Sequence, residues 1–252
     1  LATASAVLVC TASIAQPANT RSGHLLAASY GGDDVQGLGA CAGQVIDGVP
    51  VIFDRPIARR SLDAGDFVIV TADGQRVQPQ CVTFFPSING DEGQTILTQG
   101  VYGNPQASPV AVEIVGSVQS TDGLTEYNGA SISIVPWEVG AILAYARRLD
   151  LASALGGFDQ CPNGTAQVVQ LAFGSNAGNN FPATADYLSR FTLMLEGGGT
   201  VAPVGFADIT VDNYLELCLD TPTDAVAITI AEETIVDASG QFNEGRLFAP
   251  IE

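Results

Sequence analysis

Carboxylates are the one abundant reactive group in this chain. Aspartate and glutamate total 27 against nine basic residues, all of them arginine, and the only histidine is His24. That inventory removes most catalytic machinery. A nucleophilic triad needs a base, ordinarily histidine, and His24 stands alone in a polar stretch. Without lysine there is no Schiff base and no phosphate-anchoring P-loop side chain. Gly174-Ser-Asn-Ala-Gly178 has the wrong spacing for a nucleophile elbow. Paired carboxylates can still hydrolyse a glycosidic bond, and Glu92, Glu126, Glu138, Glu196 and Glu216 are available for that. No spacing in the sequence brings two of them together. The expectation is a chain with no catalytic and no cofactor-binding residues.

Carboxylates also hold hard cations, which take oxygen ligands. Asp33-Asp34, Asp91-Glu92 and the group Asp208, Asp212 and Asn213 are the candidates. The last is preferred for calcium, because three oxygen-bearing side chains share one short connection between strands. None has EF-hand spacing, and capping of turns by Asp and Asn accounts for the same positions. No cofactor is required on this reading; calcium is the one metal the inventory permits.

Cysteine supplies the remaining chemistry. Cys10 lies in an apolar N-terminal run, which leaves Cys41, Cys81, Cys161 and Cys218. Four cysteines allow three connectivities. Zinc is a poor alternative, since no C-x-x-C exists and histidine is nearly absent. An internal repeat favours one bridge per copy, Cys41 with Cys81 and Cys161 with Cys218. Disulfides imply an oxidising compartment.

The repeat also orders the elements that must position these groups. Residues 41–123 and 161–240 run through one series. A cysteine opens each copy, followed by an apolar run, Gly48-Val-Pro-Val-Ile-Phe53 or Gln167-Val-Val-Gln-Leu-Ala-Phe173. Next come Asp66-Phe-Val-Ile-Val70 and Arg190-Phe-Thr-Leu-Met-Leu195, then a Gly turn with Val77-Gln-Pro79 or Val201-Ala-Pro203. The closing strands are Val110–Val115 and Ala225–Ile230. Alternation in the first of these puts Val110, Val112 and Ile114 on one face and Ala111, Glu113 and Val115 on the other. Many short strands between Gly and Pro turns predict an all-β chain of antiparallel sandwiches.

The divisions read as follows. Residues 1–15 resemble the apolar core of a signal peptide, with a retained strand donated to a neighbouring copy as the alternative. Residues 16–40 are a mobile lead-in with a short helical turn near Leu25–Tyr30. Residues 41–123 form module 1, 124–160 a connector, and 161–252 module 2 with a tail whose Arg246–Ala249 could add a strand. Within the connector, 138–155 fits a helix or a strand through Ala141–Tyr145 equally well. Trp137 is expected to plug the space between modules.

A net charge of −18 repels phosphate backbones and anionic lipid, so no nucleic-acid partner is expected. No apolar window is long enough for a membrane-spanning helix.

Module 1 resembles the bacterial Ig-like repeats of large surface proteins. The resemblance is carried by Pro50-Val-Ile-Phe-Asp-Arg-Pro56, Ser61-Leu-Asp-Ala-Gly-Asp-Phe67-Val, Val112–Val115 and Thr121-Asp-Gly123. It implies two tandem Ig-like β-sandwich domains serving as spacers, adhesins or carbohydrate-facing units. The expected protein is secreted or at the cell surface, with the periplasm also open. Its expected partner is a protein, a glycan or another copy of itself. Two alternatives are kept: a filament subunit assembled by N-terminal strand exchange, and a secreted carbohydrate-binding or hydrolase accessory protein. Exposed Tyr102, Tyr127 or Trp137 would favour the last.

Overall fold

A computed structural model gives the fold, and it describes residues 20–30, 32–102, 107–136, 139–151, 160–174, 184–207, 212–237 and 240–252. The expectations for residues 1–15, Trp137 and Asp208 lie outside these. The chain is mostly β. The first half carries β1 (Arg21–Ser22), β2 (Leu25–Ala28), β3 (Gly32–Gln36), β4 (Val45–Phe53), β5 (Phe67–Thr71), β6 (Arg76–Val77), β7 (Cys81–Thr83), β8 (Thr95–Gly100), β9 (Pro109–Ile114), β10 (Thr125–Glu126) and β11 (Ser131–Ser133). The second half carries β12 (Leu143–Leu149), β13 (Gln167–Phe173), β14 (Phe191–Leu195), β15 (Thr200–Val201), β16 (Gly205–Phe206), β17 (Tyr214–Leu219), β18 (Ala225–Ile230) and β19 (Leu247–Pro250).

Sheet order shows the duplication directly. In the first half one sheet runs β2-β4-β8-β7, with β3 also on β4, and the other runs β11-β9-β5-β6. In the second half the orders are β12-β13-β17-β16 and β19-β18-β14-β15. Strand for strand, the two lists correspond. At β2 and β12 the chain also reaches the second sheet of its half in the same way. Tyr30 N and Val135 N bond Val135 O and Ala28 O, while Arg148 N and Glu252 N bond Glu252 O and Ala146 O.

The alternation of apolar residues explains the two cores. Val49, Val51 and Phe53 of β4 and Ile96 of β8 meet Phe67, Ile69, Val112 and Ile114 from the facing sheet. In the second half Val169, Leu171, Leu215 and Leu217 meet Phe191, Leu193, Ile228 and Ile230. Side chains two residues apart share a face, so each run of i, i+2, i+4 apolars feeds one core. Burying a side chain of this size stabilises by about 1.5–3 kcal/mol.

Three expectations need correction, and one left open is decided. The lead-in is not a loop with a helical turn: β1, β2 and β3 fall within it, and β2 is an integral edge strand on β4. The open edge of β4 accepts the backbone bonds that a single helical turn would have left unmade. The connector resolves the same way, for β12 pairs along β13 from Leu143 to Leu149. It contributes the first strand of the second sandwich, while β10 and β11 belong to the first half. Each copy therefore extends beyond the boundaries at 41–123 and 161–240. Finally, Val110 is 40% exposed rather than facing the core with Val112. A register shift between Val70 and Thr71 pairs Thr71 with Pro109, and Pro109 takes the inward place. The tail strand forms, as β19 on β18.

The cysteines pair as Cys41–Cys81 and Cys161–Cys218, with Cα–Cα distances of 6.0 and 5.8 Å. The bridges are not equivalent, however. Gly48 pairs Gln99 as Val168 pairs Cys218, so Gln99 occupies the place of Cys218. Across the next ladder Cys81 pairs Gln99 and Gly205 pairs Cys218, so Cys81 matches Gly205. The second cysteine has moved one strand between copies. A Cβ on Gly205 would lie 2.9 Å from Pro162 Cδ, which excludes a cysteine there. In module 1 the Gln99 amide instead accepts from Leu38 N at 2.6 Å and donates to Leu38 O at 2.9 Å.

Candidate functional site

All seven residues of β13 and all six of β17 are buried. Their inward residues are covered by the core. The outward residues Gln170, Ala172, Tyr214 and Glu216 are covered near the junction between the two sandwiches, where Ala27 and Ile52 pack against Tyr145, Ala172 and Tyr214. The polar groups at this junction form one connected network. Tyr214 Oη donates to Glu92 O at 2.9 Å and lies 2.6 Å from Thr95 Oγ1. A phenol has one hydrogen, so Thr95 is the donor in the second contact. Burial pushes the Tyr145 hydroxyl up to about 12 and that of Tyr214 well above its ordinary value. Both stay protonated as donors.

Arg147 ties the halves together. Its Nε donates to Gln170 Oε1 at 2.9 Å, its Nη1 to Gln94 Oε1 at 2.5 Å, and its Nη2 to Asp91 O. Gln170 Nε2 passes the chain on to Glu216 Oε1 at 2.8 Å, and Gln94 Nε2 donates to Phe53 O at 2.9 Å. The fork of the guanidinium fits three acceptors at once, which an ammonium cannot reproduce. Replacing Arg147 by alanine leaves three acceptors short of a donor, a loss of about 3 kcal/mol in urea unfolding; Arg147→Lys restores little of it. Tyr214→Phe, which removes the hydroxyl's contacts with Glu92, Thr95 and Tyr145, costs about 1 kcal/mol in the same measurement.

Glu92 and Asp212 bring two buried carboxylates to the junction, each 1% exposed. Glu92 accepts from Asn89 N at 2.9 Å and from Asn89 Nδ2 at 2.8 Å. Asp212 Oδ1 accepts from Tyr214 N at 2.7 Å. Desolvation first, then the charge of Asp212, pushes Glu92 up to about 8; Asn89 pulls it back and Asp91 adds to the rise.

Of the residues picked out for calcium, Asp212 faces the backbone of β17. Asn213 is used by β13, its Nδ2 donating to Phe173 O at 2.9 Å. Among the described residues there is no group of three or more His, Cys, Asp or Glu side chains able to hold a metal, and none of their helices is long and apolar enough to cross a membrane. Of the glutamates considered for glycoside chemistry, Glu92 and Glu216 reach the junction. Glu126 lies in module 1 against Gln119, Glu196 is exposed, and Glu138 lies outside the described residues. Tyr102 and Tyr127 are fully buried. Tyr127 packs edge-on to Phe53 at 4.9 Å and donates to Asp54 Oδ1 at 2.6 Å, so neither ring offers a sugar platform. Sequence reading missed Arg147, Gln94, Gln170 and Tyr145. The one available signal was Tyr214 and Ala172 standing on strand faces that otherwise read as wet.

No protein-family model matches the chain, and no curated protein matches it in sequence. Among solved structures it is similar to the N-terminal part of the bacterial S-layer protein SbsC, at 13% identity and a TM-score of 0.30. The alignment covers 92% of this chain and 44% of that one, so the chain spans under half of that structure. A likeness of this degree bears on neither ligand nor role.

Proposed function

We propose that the chain is an exported, non-catalytic structural or binding unit, in which two tandem immunoglobulin-like sandwiches act as one rigid element at a cell surface or in an extracellular assembly. The observation that carries this reading is the buried junction: two sandwiches of one strand order, each with its own disulfide, are fastened by a polar network rather than strung on a free linker. The strand order supports the immunoglobulin-like assignment. With β1, β3 and β10 left out and the remaining strands lettered A to G along each half, one sheet runs A-B-E-D and the other G-F-C-C′, the arrangement of that architecture. Disulfides persist in oxidising compartments, which supports export. The junction carboxylates are held in hydrogen bonds and serve packing rather than turnover.

The test is non-reducing intact mass with size-exclusion light scattering on protein secreted from cells. The reading expects two disulfides and a discrete, non-aggregating species. Free thiols at Cys41, Cys81, Cys161 or Cys218 in native protein would remove the case for export. Polymeric species that depend on residues 1–19 would instead favour a filament subunit built by strand exchange.

A further inference from the structure

We infer that the cleft beside the junction is a binding site for a neutral saccharide. It encloses about 220 Å³, below the range of about 300 Å³ at which pockets for drug-sized ligands begin, so it seats one sugar ring. Its polar wall is Arg55, Arg147, Arg148, Asp54, Glu252 and Gln94, and its apolar wall is Leu26, Pro56 and Tyr145. This mixture decides the ligand class. Three arginines, a third of those in the whole chain, would by themselves favour an anion. Two carboxylates share the wall, though, and Arg148 is ion-paired to Asp224, so little net positive field is left. Sugar hydroxyls are both donors and acceptors, and a wall that holds guanidinium donors with the carboxylates of Asp54 and Glu252 meets both needs. Leu26, Pro56 and Tyr145 supply apolar surface for the C–H groups of a ring.

The cleft is also pre-organised, which lowers the cost of binding. Arg147 is held by three acceptors and its guanidinium lies 5.6 Å from the Tyr145 ring centroid. Arg55 lines the cleft, is exposed, and has no ion-pair partner among the described residues. A second, more open depression of about 410 Å³ shares Arg148 and Glu252, which gives the next sugar of a chain a place to lie. The inference deepens the binding half of the function proposed above and rests on the two sandwiches being fixed together.

Saturation-transfer NMR tests it on the oxidised full chain, with cellobiose, maltose, lactose and N,N′-diacetylchitobiose as probes and galacturonic acid as the charged comparison. The expected result is transfer to at least one neutral disaccharide, weakened at least tenfold by Arg55→Ala and by the cleft-filling Leu26→Trp. Arg76→Ala, on the far sheet where Arg76 pairs Glu113, leaves it unchanged. Transfer to none of the four, transfer that survives both cleft variants, or a preference for galacturonate that fades with salt overturns the inference. Any of these results leaves the rigid two-sandwich unit standing, because that claim is read by tumbling and not by sugar binding.

Discussion

Between pH 4.5 and pH 8 the folded chain loses on the order of 4 kcal/mol of stability, and Glu92→Gln removes most of that loss. The cause is a carboxyl that burial and the neighbouring Asp212 charge keep protonated in the fold, while the same group in the unfolded chain ionises near 4.5. Between those values the native state holds a proton that the unfolded state has released. Raising the pH therefore favours unfolding. The contribution is complete below the unfolded value, declines across the window, and is gone once pH has risen through the folded value. Other carboxylates act with the opposite sign at lower pH. Asp73 is held below its ordinary value by Thr71 and Gln75, and Asp122 by Ser120 and the Leu124 amide; what they contribute is lost as pH falls. Urea midpoints measured from pH 3 to pH 9 should trace a dome with its maximum on the mildly acidic side. In Glu92→Gln the alkaline side flattens, because an amide presents the neutral form at every pH. A wild-type curve that rises steadily to pH 8 would contradict the assignment.

The second large effect is on the bridges. Opening Cys161–Cys218, as Cys161→Ala with Cys218→Ala, lowers stability by about 4 kcal/mol, from the chain entropy of a loop with sequence separation 57. Cys41–Cys81 closes a separation of 40 and is worth nearly as much, since the entropy grows only with the logarithm of loop length. The two losses will differ in quality. Cys218 lies on central strand β17 with Val168 and Ala207 around it, so its removal also leaves a gap in buried packing. Cys81 lies on edge strand β7, where Gln99 already braces the Leu38 backbone. Chemical unfolding of each double variant against wild type measures both, and equal losses below 1 kcal/mol would show that the bridges do not constrain the unfolded chain.

The cores were legible in the sequence because they obey simple periodicity. Val49, Val51 and Phe53, or Leu215, Leu217 and Leu219, stand two apart and can only line one face of a strand. The repeat was legible for the same reason. The edge strands were not. Leu25–Ala28 is four residues of Leu and Ala, with no alternation to separate strand from helical turn, and only the open edge of β4 decides it. Val110 was misplaced because it is the extra residue where β9 slips against its neighbour β5, pairing Ala111 with Val70 and Pro109 with Thr71, and its own alternation does not show that slip. The junction was hidden most completely. Gln170, Glu216, Gln94 and Glu92 read as solvated surface on polarity alone, and they are buried only because a second sandwich meets the first. Nothing local in Tyr145-Ala-Arg147 announces that the arginine will find three acceptors on strands and turns of both halves.

Backbone ¹⁵N relaxation on the intact, oxidised protein addresses the claim on which the rest depends, that the two sandwiches form one body. The account predicts a single rotational correlation time shared by amides of β4, β5, β8 and β9 and of β13, β14, β17 and β18, appropriate to the full 26.0 kDa chain. Two distinct and shorter correlation times, one for each half, would mean that the junction does not hold in solution, and would contradict the account.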